Sequence, residues 1–235
     1  MSGESQDLII LANLASRAER WDDMKSYMKE RVQAGGALSG EERDLLSQAF
    51  KEALNQRRYA VRVASSIELQ EEEARRTTNS ALAAGYKSKV EAELETICQE
   101  AVMLLSVSLL PKAESGEPKV FFQKMQGDYY RYWSEFTAGD KKREAAEFAA
   151  AAYESAMAEA KHHLLPSHPL KVGLALNYSV FLFECRQNGD AAVEIAEAAV
   201  LEASRTFEGM PEDALRDTQG TLQLLQENLH LWRSN

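Results

Sequence analysis

Runs in which β-branched residues alternate with polar ones, the mark of a half-buried strand, are hard to find anywhere in this 235-residue chain. Long stretches rich in Ala, Glu, Leu and Arg take their place, and with only 12 Gly and 5 Pro the breaks between them are few. The sequence predicts an all-α fold. Breaks fall near Arg20 and at AGGALSG (34–40), TTNS (77–80), PKAESGEP (111–118), AGD (138–140), PSHP (166–169), QNGD (187–190) and FEGMP (207–211), which divides the chain into nine helices. The connections are short, so consecutive helices are expected to run antiparallel.

Local signals support these bounds. Ser39 followed by Glu42 is a capping-box pattern opening a long third helix, and Pro169 and Pro211 suit first-turn positions, where the missing N–H would be unpaired anyway. The EEE run at 71–73 reads as a solvated helix face or loop edge. No period of about 34 residues recurs, which weighs against a tetratricopeptide array as the architecture.

Charge narrows the partners. Lys and Arg number 27 against 37 Asp and Glu, a formal net charge of −10, so the chain as a whole repels nucleic acid and anionic membranes. Any anion must be held by a local group of cations. The longest apolar run, AVMLLSVSLL (101–110), is too short to span a bilayer, and the N-terminal MSGESQDLII has no basic segment before its apolar residues. The two cysteines, Cys98 and Cys185, have no paired spacing. The expectation is a cytoplasmic protein with access to the nucleus, without cofactor, metal or membrane insertion.

Polar residues placed on apolar helices carry the functional information. In the last helix Leu222, Leu224, Leu225, Leu229, Leu231 and Trp232 fill one arc with Asn228 in its middle. An unpaired buried amide costs about 1–3 kcal/mol, so Asn228 either satisfies a core carbonyl or faces a ligand. In the seventh helix Gly173, Asn177, Val180 and Glu184 form one stripe, and in the third Lys51, Asn55, Arg58 and Arg62 form a basic one. Within GDYYRYWSEF (127–136), Lys124, Asp128, Arg131 and Glu135 share a face with Tyr132 at its edge. Acids three and four residues from Arg131 either hold its guanidinium for a ligand or form an exposed ion-pair ladder worth a few tenths of a kcal/mol per pair.

Two Glu-x-x-His pairs, Glu159/His162 and Glu227/His230, have the spacing of helical di-iron enzymes. The helical wheel sets Glu227 and His230 opposite the apolar arc and His162 near a helix end, whereas such ligands must converge inward. A scaffold binding unmodified peptides is the other alternative, distinguished by indifference to phosphorylation.

AERWDDM (18–24), LSGEERDLLSQAFKEALNQRR (38–58), SSIE (65–68), KVFFQKMQGDYYRYWSEF (119–136), HPLKVGLALNYSVFLFE (168–184) and LQLLQENLHLW (222–232), in this order, resemble the 14-3-3 family over nearly the whole chain. The resemblance implies one nine-helix domain over 1–235, in which about 1–110 provides dimerisation and a basic groove wall and about 118–235 the rest of an amphipathic groove. It implies a non-catalytic adaptor for phosphoserine and phosphothreonine segments of client proteins, acting as a homodimer or paired with a paralogue.

By matched position, phosphate would meet Lys51, Arg58, Arg131 and Tyr132, with Asp128 in support. Asn177 and Asn228 would bond the peptide backbone, Glu184 would order the polar wall, and Leu176, Val180, Leu224 and Leu231 would form the apolar wall. Arg20, Asp23, Tyr86, Lys89 and Glu93 match interface residues, with Arg20 meeting Glu93 and Asp23 meeting Lys89 across the two-fold axis.

The chain also departs from the family pattern. Gly220 and Thr221 stand where a Leu-Ile pair is usual, and Gln48 replaces a usual valine, so the preference for residues flanking the phosphate is expected to change. Ala60 occupies the place of a serine whose phosphorylation splits the dimer in many relatives, which removes that switch.

Overall fold

The computed structural model describes residues 3–234, and among them nine α-helices and no strand. The chain divides between Lys112 and Ala113 into two compact units. The first holds α1 (Gly3–Arg17), α2 (Trp21–Gln33), α3 (Gly40–Glu73) and α4 (Thr77–Leu104), the last continued by a π-helical segment, Leu105–Leu109, and a short 3-10 turn, Leu110–Lys112. The second holds α5 (Glu117–Glu135), α6 (Gly139–His163), α7 (Pro169–Glu184), α8 (Gly189–Ala203) and α9 (Glu212–Ser234).

The predicted capping box opens α3. Ser39 Oγ accepts from the Glu42 amide at 3.2 Å, and Glu42 Oε2 accepts from the Ser39 amide at 2.7 Å. Glu42 is also buried against Arg31 of α2, whose Nε lies 2.6 Å from Oε1, so one carboxylate caps α3 and ties it to α2. Arg31 Nη1 donates to the Gly35 carbonyl at 2.8 Å, closing the loop that Gly35 and Gly36 carry through positive φ. The core of this unit is Leu46, Phe50 and Leu54 of α3 with Leu94, Ile97 and Cys98 of α4.

Three details differ from the sequence expectation. The chain reverses at Ala74–Arg76, so TTNS forms the first turn of α4; Arg76 and Asn79 both bond Glu71, drawing the helix start back toward the EEE run. Pro211 precedes α9, and its carbonyl accepts from the Leu215 amide at 2.9 Å. The run 101–110 extends α4, and the whole of Thr77–Lys112 is long and apolar enough to cross a membrane by length and composition. Leu94, Ile97, Cys98, Ala101 and Leu105 of that stretch are buried within the first unit, as in a core helix.

In the second unit α5 and α6 pack as an antiparallel hairpin. Gly127 permits their close approach, because a Cβ there would lie 2.8 Å from the fully buried ring of Tyr153. Alanines of α6 and Leu174 and Phe181 of α7 complete that core, while Val172 of α7, Ala196 of α8 and Leu222, Leu225 and Leu229 of α9 form another. Pro169 is the first residue of α7, where His168 Nδ1 caps the Leu170 amide at 3.2 Å. Thr218 of α9 donates to the Ser167 carbonyl at 2.9 Å and Ser167 donates to Thr206 at 2.7 Å, anchoring the start of α7 to α9 and to the end of α8.

Candidate functional site

Arg131 is 8% exposed, which removes the solvated ladder as a description of its charge. Nη1 lies 3.0 Å from Glu135, Nε donates to Tyr153 Oη at 3.3 Å, and the guanidinium sits 4.3 Å from the centroid of the Tyr132 ring. Nη2 has no hydrogen-bond partner among the described residues. The result is a cation whose orientation is set by an acid, a phenol and a ring, with one donor edge uncommitted.

Asp128 is the hub behind it. Its Oδ1 accepts from Tyr153 Oη at 2.6 Å and from Asn177 Nδ2 at 2.7 Å, and its Oδ2 accepts from Lys124 Nζ at 2.9 Å. Burial disfavours the charged carboxylate, but the Lys124 ammonium and Arg131 guanidinium, with the Tyr153 hydroxyl, outweigh it and hold Asp128 below the usual carboxylate range. Burial likewise works against the Arg131 charge, which Tyr153, Tyr132 and Asp128 more than restore. Burial, then the neighbouring Asp128, pushes the Tyr153 hydroxyl well above its ordinary value, so it remains a neutral donor. One bond network thereby joins α5, α6 and α7.

On α7, Asn177 turns inward to Asp128, Leu176 and Val180 are half-buried, and Glu184 is exposed. Gly173 on the same stripe leaves room for the Lys124 side chain, whose Cε would stand 3.9 Å from a Cβ placed there. The arc expected on α9 divides in two. Leu222, Leu225 and Leu229 are buried, whereas Leu224 and Leu231 are 50% and 58% exposed with half-buried Asn228 between them. Trp232 turns aside to stack on Phe183 with centroids 4.9 Å apart. Helices α7 and α9, packed together, thus present apolar side chains interrupted by amides and an acid.

In the first unit Lys51 is exposed and Arg58 half-buried on α3, with Asn55 between them on the same stripe. Gln48 is half-buried one turn earlier. Among the expected interface residues, Arg20 pairs with Asp23 within α2's own start, and Glu93 accepts from Arg57 Nε at 3.3 Å while Arg57 Nη2 lies 2.7 Å from Asp22. Tyr86 is 55% exposed and Lys89 is exposed. Of the Glu-x-x-His pairs, Glu227 and His230 are exposed on α9, and Glu159 accepts from the Gly116 amide at 2.8 Å and pairs with Lys119 and His163. No group of three metal-binding side chains occurs among the described residues.

Sequence reading missed Tyr153 and Gly127. The available signal was a single ring in AAAAYESA of α6, a run otherwise too small to fill a helix interface.

A family model for 14-3-3 proteins matches residues 11–233. A 14-3-3 protein homolog of Candida albicans is 42% identical, with 99% of this chain and 88% of the relative aligned. A 14-3-3 protein of Entamoeba histolytica, number 2 of its kind, is 40% identical over 98% of this chain and 96% of its own length. The checkpoint signal transducer rad24 of Schizosaccharomyces pombe is 41% identical over 98% and 85%. With nine helices in sequence order and agreement of this extent, the chain belongs to the 14-3-3 family.

Proposed function

We propose that the protein is a non-catalytic signalling adaptor that binds phosphoserine or phosphothreonine segments of client proteins, with Lys51, Arg58, Arg131 and Tyr132 donating to the phosphate. The preorganised guanidinium of Arg131, buried and held from three sides, carries this reading. A phosphate of about −1.5 to −2 charge accepts paired bonds from an arginine fork, a point charge from lysine and a neutral bond from a phenol. Asp128 and Glu135 offset the guanidinium charge when no ligand is present, so Arg131 does not have to be oriented on binding. The open face of α7 and α9 suits an extended peptide: Asn228 bonds its backbone, Asn177 does so beside its bond to Asp128, and Leu176, Val180, Leu224 and Leu231 take its side chains. One relative in the same family bears the name of a checkpoint signal transducer.

The protein acts as a dimer in this reading. In the first unit α1 exposes Ile10, Leu11 and Leu14, and α3 and α4 expose Tyr59, Val63, Leu82 and Tyr86. A second copy covering both faces reciprocally satisfies the symmetry of an isologous interface. Arg20 and Glu93 then exchange their present partners, Asp23 and Arg57, for each other across the axis. Cytoplasmic residence follows from the same role.

Calorimetric titration of one phosphoserine peptide against Lys51→Ala, Arg58→Ala and Tyr132→Phe tests the assignment. Loss of about 1.5–3 kcal/mol for each charged residue is expected, and less for the phenol. Unchanged affinity in Arg58→Ala refutes the proposed donors.

A further inference from the structure

The trough between α6 and α8, floored by α7, has no part in the site above. It encloses about 830 Å³. Tyr178 and Leu182 of α7 line its floor, Met157 of α6 and Ile195 of α8 its walls, and alanines most of its other apolar lining, so small side chains leave space between the helices. On α7 the floor residues are out of phase with the Gly173, Asn177, Val180 and Glu184 stripe and point to another side of that helix.

Shape and charge specify an occupant. Residues 191–202 of α8 border the trough, a length of about 16 Å or three helical turns. Floor positions Ala175, Tyr178 and Leu182 follow a helical period but are almost wholly buried, so the apolar stripe of a docked helix meets chiefly the half-buried Met157 and Ile195 of the walls above them. The α8 wall is acidic, with Glu194 and Glu202. The α6 wall carries Glu154 midway, and Lys161 with Lys171 of α7 stands at the end where α6 finishes. Arg186, at the other end, is held by Glu147. Lys161 and Glu194 have no ion-pair partner among the described residues.

We propose that this trough is a second docking site, taking one amphipathic helix of about three turns from a protein partner without need of phosphorylation. The partner helix has an apolar stripe, a basic flank lying along Glu194 and Glu202, and an acidic residue at the end that meets Lys161 and Lys171. The acidic α8 wall and the basic end at Lys161 and Lys171 give the docked helix a preferred direction.

The test uses the whole protein and two fluorescein-labelled helical peptides of about fifteen residues with the same leucine stripe. One has a lysine flank and a terminal glutamate, the other the charges inverted. Saturable binding of the basic-flanked peptide, about tenfold tighter than its inverse, is expected. Ala198→Arg should abolish it by filling the trough, and Glu194→Lys should move preference toward the inverted peptide; both should bind a phosphoserine peptide as the unaltered protein does. Circular dichroism checks that each variant is folded. Equal binding of the two peptides, absence of saturation, or persistence in both variants overturns the proposal. So does binding of dodecanoate with no binding of either peptide, which makes the trough a small-amphiphile site.

Discussion

Asn177 of α7 donates to Asp128 of α5 across 2.7 Å, and Tyr153 of α6 donates to the same oxygen at 2.6 Å. Three helices therefore depend on one buried carboxylate. In Asp128→Ala the phenol and the amide lose their acceptor and the adjacent cations their counter-charge. A loss of about 3 kcal/mol in urea denaturation is expected. Asp128→Asn keeps an acceptor and should cost less.

The same carboxylate makes stability depend on pH. Its folded-state pKa lies below the unfolded value of about 3.9, so its contribution is complete above that pH and disappears as pH falls through the folded value. The stability difference between the unaltered protein and Asp128→Asn should therefore be widest near neutrality and shrink below about pH 4. Denaturation series at several pH values measure it; a difference that widens on acidification contradicts the sign.

Gly127 is tested by a single methyl. Its Cβ would meet the Tyr153 ring at 2.8 Å, and a ring with no exposed surface cannot step aside. Gly127→Ala should destabilise by about 1–3 kcal/mol and weaken phosphopeptide binding together, because displacing Tyr153 moves the partners of both Asp128 and Arg131. Thermal melts and peptide titration on the same sample report both.

How far this was legible in the sequence follows from how local each cause is. Ser39, Glu42 and Pro169 act on their own helix ends, and the sequence located them correctly. The α9 arc needed its neighbours: periodicity groups Leu224 with Leu225, but packing on α7 and α8 buries only the latter. Tyr153 lies 25 residues from Asp128, and no spacing rule connects them until α5 and α6 pair. The choice between a ladder and a held guanidinium at Arg131 was likewise a question of burial, which spacing does not encode.

The apolar face of α1 predicts the assembly state. Leu14 is 57% exposed on the surface proposed to meet a second copy. Leu14→Asp should convert dimer to monomer in sedimentation velocity while leaving helicity unchanged, since the side chain contributes little to its own unit's core. A protein that is monomeric before substitution contradicts the proposed dimer.

Gly220 lies exposed inside α9, and a Cβ added there would meet nothing within 4 Å, so a side chain such as that of Gly220→Leu can start from the helix without a clash at its first atom. Replacing a helix-interior glycine should stabilise by about 0.5–1 kcal/mol. It should also shift binding toward peptides with apolar residues beside the phosphate, as read from a flanking-residue peptide library. Identical library profiles for both proteins would sink the claim that Gly220 alters groove preference.

The proposed function depends above all on Arg131 being held in readiness for a phosphate. Fluorescence anisotropy of an Arg-x-x-pSer-x-Pro peptide and its unphosphorylated twin decides the matter. Saturable binding of the phosphorylated peptide is expected, about a hundredfold or more tighter than the twin, with the difference cut about tenfold or more in both Arg58→Ala and Arg131→Ala. Equal binding of the two peptides would refute it and leave a helical scaffold for unmodified segments.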